Sequence, residues 1–188
     1  MNYAHFKHYL GEVLQVIEQA ARAGYRQIVG PLVSRWNPET VFIEAARTGF
    51  EATVQAMLEK DQPNLWNVPR HLGESRPGHG ALSAAVENGH KGVARIILEA
   101  SRIGINATGD ERTPLHLAVL RKQTAMAELL TNFGGTNVKM RDADGKPPIQ
   151  LAAKGGDEDI YQLVLSASRE GPRLQRGSRG VRSGGVWR

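Results

Sequence analysis

A chain of 188 residues can bury a real core as one ordinary domain, and with 40% hydrophobic but only 6% aromatic residues that core must be aliphatic. The absence of cysteine excludes disulfides, thiol nucleophiles and cysteine-based zinc sites, and fits a reducing compartment. The net charge of +5 is not spread evenly: residues 169–188 hold six arginines against one acid, Glu170, so the body of the chain is neutral.

In chain order, the start MNYAHFKHYLGEVLQ lacks a charged region followed by an unbroken apolar block, so no secretory signal is expected. No run approaches the ~20 apolar residues of a membrane span. Phe6, Leu10, Val13, Leu14, Ile17 and Ala21 instead share one face of a predicted helix that ends near Gly24. A shorter apolar piece follows, YRQIVGPLVSRW. Residues 1–36 read as capping helices over the open end of a stack; the sharper alternative is a separate partner-binding helix. His5 and His8 on the first helix lack a third ligand for zinc.

Four short stretches then repeat a pattern: TVFIEAARTGF (40–50), GALSAAVENGH (80–90), TPLHLAVLRKQ (113–123) and PPIQLAAKGGD (147–157). Small residues recur at Ala45 and Ala46, Ala84 and Ala85, Ala118, and Ala152 and Ala153. Gly49, Gly89 and Gly156 fall where a helix stops in a left-handed conformation, and Lys122 takes that place in the third copy. A second stripe follows each at i, i+3, i+4: Thr53, Ala56, Met57; Val93, Ile96, Ile97; Met126, Leu129, Leu130; Ile160, Leu163, Val164. Each unit is therefore a short helix, a tight turn and a second helix. One unit has too little apolar surface to fold alone, so the units must stack.

With TPLHLA at 113–118, and Asp142 and Gly145 in a hairpin-like segment ahead of PPIQLAA, residues 37–166 resemble the ankyrin repeat family. The resemblance implies an all-α solenoid of helix-turn-helix units joined by hairpin loops. The repeats are placed at about 37–66, 77–106, 110–138 and 144–166, with a loop insertion near 64–79. Thr113 and Pro114 are expected to start their helix, and His116 to make a polar link that steadies neighbouring backbone. Asp157, Glu158 and Asp159 suit the start of the last helix through its dipole.

The family's contact positions carry over to the first-helix ends and hairpin fingers. Here those are Arg47 and Thr48, Glu87 and Asn88, Leu120 and Arg121, Lys154 and Gly155, with Arg112, Asp144 and Lys146 on the fingers. Leu120 stands out as an apolar residue at an otherwise polar place. Trp66, in the Gly- and Pro-rich insertion, either anchors a partner or pins its loop to the stack.

The segment 167–188 reads as a disordered basic tail. Arg173, Arg176, Arg179 and Arg182 recur every third residue and would line one side of a polyproline II helix. Such a row can follow a phosphate backbone, an acidic groove or a membrane surface, and a basic terminus also resembles some bacterial type IV export signals. Phosphate-loop, H-E-x-x-H and G-x-S-x-G motifs are absent, so no enzyme, metal or cofactor is expected.

The expectation is a cytoplasmic, non-catalytic adaptor, scaffold or inhibitor that binds another protein as a monomer or within a hetero-complex. Two alternatives remain: a factor whose tail binds nucleic acid, and an effector delivered into a host cell to bind a host protein.

Overall fold

The computed structural model describes residues 3–58, 77–100, 105–106 and 112–170. Ten helices run through them: α1 (Tyr3–Arg22), α2 (Arg26–Ser34), α3 (Pro38–Thr48), α4 (Glu51–Leu58), α5 (Pro77–Glu87), α6 (Lys91–Glu99), α7 (Pro114–Leu120), α8 (Thr124–Asn132), α9 (Pro148–Gly155) and α10 (Glu158–Glu170). There is no strand among the described residues.

Helix starts follow local chemistry. The Asn37 side chain accepts the backbone N–H groups of Glu39 and Thr40, and Pro38 takes the first helical position, where its missing N–H is harmless. Thr113 and Pro114 repeat this device at α7. Helix ends are equally regular. The first helices of the four units stop at Gly49 (φ 81), Gly89 (φ 75), Lys122 (φ 54) and Gly156 (φ 67).

The helices pack in two rows. The first helices lie side by side as α3, α5, α7, α9, and the second as α4, α6, α8, α10. Helix α1 packs on α4, while α2 touches α4 and α3. One continuous core runs from Leu10 through Phe42, Leu82 and Leu115 to Val164.

The buried arc of the second helices is wider than an i, i+3, i+4 stripe. Val54, Ala94 and Ala127, one residue after the start of each stripe, are fully enclosed, whereas Ile96, Leu129 and Leu163 are half-buried. An inner second helix touches its own first helix and a neighbour on each side, so its covered face broadens. Tyr161, in the same position on the last helix, stays half-open.

Two edges also shift. Helix α5 starts at Pro77, inside the stretch read as a 64–79 loop, and α10 continues through Glu170, so residues 167–170 are helical rather than tail. Residues 59–76, with Trp66, and 171–188, with the four regularly spaced tail arginines, lie outside the described residues.

Candidate partner-binding surface

The site is built on turns that the fold locks together. His116 is wholly buried, and its backbone N–H reaches the Thr113 hydroxyl at 3.4 Å. Its Nδ1 accepts the Thr113 N–H at 3.2 Å and lies 2.7 Å from Thr113 Oγ1. With Nδ1 an acceptor, Nε2 carries the proton and donates to the Lys146 carbonyl at 3.1 Å. One imidazole thus closes a capping box and ties the third unit to the hairpin of the fourth. Burial, working against the Lys146 carbonyl and Asp142, lowers its pKa. Every polar atom of the ring is engaged, leaving none for a ligand.

The hairpin before α9 closes on Asp142. That residue donates its N–H to the Lys146 carbonyl (3.0 Å), while its carboxylate accepts the Lys146 N–H (2.8 Å). The Lys146 amide holds the carboxyl below its usual range. Upstream, Asn106 bridges consecutive loops, donating to the Gly135 carbonyl and accepting the Asn137 N–H, each at 2.7 Å.

At the opposite end of the first helices, His90 Nε2 lies 2.9 Å from the Arg47 carbonyl, and its ring covers Gly49. Gln123 takes the equivalent place beside Gly89 one unit along, in van der Waals range and without a hydrogen bond across the units. The His90 bond thus ties the first two units at the helix ends. Arg47, Glu87, Leu120 and Lys154 take one position of the repeat, and Thr48, Asn88, Arg121 and Gly155 the next; all eight are exposed.

Their side chains differ in how far they are committed. Arg47 pairs with Glu44 at 3.5 Å, Thr48 Oγ1 donates to the Glu44 carbonyl, and Asn88 donates to the Ala84 carbonyl. Among the described residues, Glu87, Arg121, Lys122 and Lys154 have no side-chain hydrogen bond or ion pair. Leu120 is 44% exposed.

The finger residues do not join this row. Arg112, Asp144 and Lys146 stand before α7 and α9, and seven-residue α7 separates them from Leu120 by about 10 Å. Lys146 Nζ is 3.3 Å from Asp144, so both are partly occupied. The expected contact residues thus form two rows at opposite ends of the first helices.

Sequence reasoning passed over Glu18. Its carboxylate, on α1 and 4% exposed, accepts the Thr53 N–H and hydroxyl, each at 2.8 Å, and the Ala52 N–H at 3.4 Å; Arg22 Nε donates to it at 2.8 Å. It caps α4 from another helix. Burial pushes its pKa up, but Arg22 and Thr53 together outweigh this, and the net shift is downward. The signal was present: Glu18 interrupts the apolar face Leu14, Ile17, Ala21, with Arg22 four residues on.

Among the described residues no cluster of three His, Cys, Asp or Glu could hold a metal ion, and no helix is long and apolar enough to cross a membrane.

A family model of three ankyrin repeats matches residues 102–175. The stack consists of ankyrin repeats. Ankyrin relatives include the putative ankyrin repeat protein YahD of Escherichia coli K12, 33% identical over 99 residues (50% of this chain, 49% of YahD). The NF-kappa-B p105 subunit of Gallus gallus is 35% identical over 132 residues (65% of this chain, 13% of the relative). The E3 ubiquitin-protein ligase KEG of Arabidopsis thaliana is 31% identical over 120 residues (63% and 7%). The chain thus spans about half of YahD and far less of the other two. The rows of the ankyrin stack are its first helices, α3, α5, α7 and α9, and its second helices, α4, α6, α8 and α10.

Proposed function

We propose that this ankyrin stack is a non-catalytic protein-binding module whose contact surface is the row of first-helix ends. The observation that carries the reading is Leu120, an exposed leucine among polar residues at equivalent repeat positions, on a ridge formed by the repeated turns of the stack. A preformed surface loses little ordering entropy on association, so a modest contact area suffices. The finger row of Arg112, Asp144 and Lys146 would extend the contact across the first helices. Helix α1, fastened to α4 by Glu18, and α2 packed beside it would close the N-terminal end of the stack as a cap rather than serve as a partner-binding arm.

The test is affinity capture with the full chain and the double variant Leu120→Glu, Arg121→Glu. Both positions are exposed, so the variant should keep its helical circular dichroism and melting temperature while losing the captured protein. Capture that survives the double change removes the helix-end row as the binding surface.

A further inference from the structure

The turn after α7 departs from its three counterparts. Gly49, Gly89 and Gly156 occupy the left-handed position elsewhere; here it is Lys122, the one non-glycine residue with positive φ among those described. An L-residue adopts that conformation at a cost that glycine avoids. The lysine does nothing for the turn itself. Lys122 N–H to Val119 carbonyl (3.1 Å) and Gln123 N–H to Ala118 carbonyl (2.9 Å) match Gly89 to Val86 (3.1 Å) and His90 to Ala85 (2.9 Å). Identical turn geometry with a costlier residue points to the side chain as the reason for its presence.

The surroundings suit that side chain to one kind of partner. Lys122 follows exposed Leu120 and Arg121, and Lys154 stands at Leu120's position on the next helix, α9. None of the three bases has an ion-pair partner among the described residues. Of the acids at the start of α10, Asp157 accepts the Ile160 N–H and Glu158 accepts from Gln162, while exposed Asp159 has no side-chain partner among the described residues and makes no ion pair with these bases. Helix C-termini favour bases, but that preference requires no left-handed lysine. On the first two units the row changes character, with Arg47 paired to Glu44 and Glu87 acidic.

We propose that Leu120, Arg121, Lys122 and Lys154 form a docking spot for an acidic peptide segment carrying one apolar side chain. The apolar group packs on Leu120, and carboxylates meet Arg121, Lys122 and Lys154. Packed helices lie about 8–10 Å apart, and an extended chain advances about 3.3 Å per residue. A carboxylate about three residues from the anchor therefore reaches Lys154. This deepens the protein-binding reading above and rests on it.

The experiment pans a phage-displayed library of random dodecapeptides against the full chain, then measures the enriched peptides against variants. Enriched sequences should carry Asp or Glu about three residues from a Leu, Ile or Phe, and should weaken as salt rises. Lys122→Gly should lower their affinity about threefold, and Lys122→Glu about tenfold or more. Lys122→Gly should melt no lower than the parent, because it relieves the turn, and Lys122→Arg should bind as the parent does. Peptides that need Leu120 and Arg121 but show no acidic bias and ignore Lys122→Gly would overturn the acidic docking spot while leaving the protein-binding surface standing. Peptides indifferent to the Leu120→Glu, Arg121→Glu double variant would overturn both. A library that yields no enriched peptide overturns the docking spot, since acidic peptides with one apolar residue abound in it.

Discussion

At the scale of single residues, His116 shows how one side chain serves two units of the stack. It caps its own helix through Thr113 and holds the Lys146 carbonyl of the next hairpin. Replacing it with alanine strips the buried Thr113 N–H of its acceptor and leaves the Lys146 carbonyl with the Asp142 N–H alone, a loss of about 2 kcal/mol readable in urea unfolding. Its folded pKa lies below the usual 6.5, so the neutral form is preferred in the native state. The contribution is complete above pH 6.5 and is lost as pH falls through the lowered folded value, because the unfolded chain takes up the proton first. Unfolding midpoints compared from neutral pH downward should therefore fall more steeply for the parent than for His116→Gln, and equal slopes would rule this out. Gly49 makes a second residue-scale case. A Cβ there would lie 2.6 Å from His90 Nδ1 on a backbone of φ 81, so Gly49→Ala should cost about 2 kcal/mol and lower the melting temperature. The helix-stop role of this glycine is legible in sequence; the imidazole over it is not, because His90 comes 41 residues later.

Elements are joined by groups that periodicity alone assigns poorly. The apolar face of α1 predicts that the helix is packed, yet not that Glu18 fastens it by satisfying the first amides of α4. A carboxylate so placed holds two otherwise orphaned N–H groups and the Thr53 hydroxyl. Glu18→Ala should cost about 2–3 kcal/mol, since it strips charge-assisted bonds from a buried site. Hydrogen exchange should then quicken at Ala52 and Thr53 before it does at α8. Protection unchanged at those two amides would show that α1 is held by its apolar face alone. The net-lowered pKa adds a sign: Glu18 stabilises fully above about pH 4.5, its usual value, and loses that effect as pH falls through its folded value. The second-helix stripes tell the same story. Met57, Ile97, Leu130 and Val164 were legible, whereas Val54, Ala94 and Ala127 became core only because neighbouring units cover that flank.

Over the whole molecule, repetition converts local turns into one surface. Because each unit repeats the same helix and stop, residues 33 to 40 apart in sequence become neighbours along a ridge. The arrangement separates the helix-end row from the fingers by the length of a first helix, so a partner touching both must span α7 and α9. The boundary at Glu170 sets the right truncation for testing the tail. A chain ending there keeps α10 intact and, if the repeats carry binding, should capture the same protein as the full chain after nuclease treatment. Capture that requires residues 171–188 and disappears with nuclease would transfer the function to the arginine-rich end.

Sequence alone determined the repeat, its helix starts at Thr113 and Pro114, its stops at Gly49, Gly89 and Gly156, and most of the aliphatic core. Those features depend on residues a few positions apart, where capping, backbone sterics and helical period act directly. Tertiary structure decided what Glu18, His90, Asn106 and Lys146 hold, and which exposed residues share a ridge. Those contacts join residues about 30 or more positions apart, and their geometry exists only once neighbouring units have stacked. The stacked turns also show that Lys122 takes a glycine's conformation without a glycine's freedom.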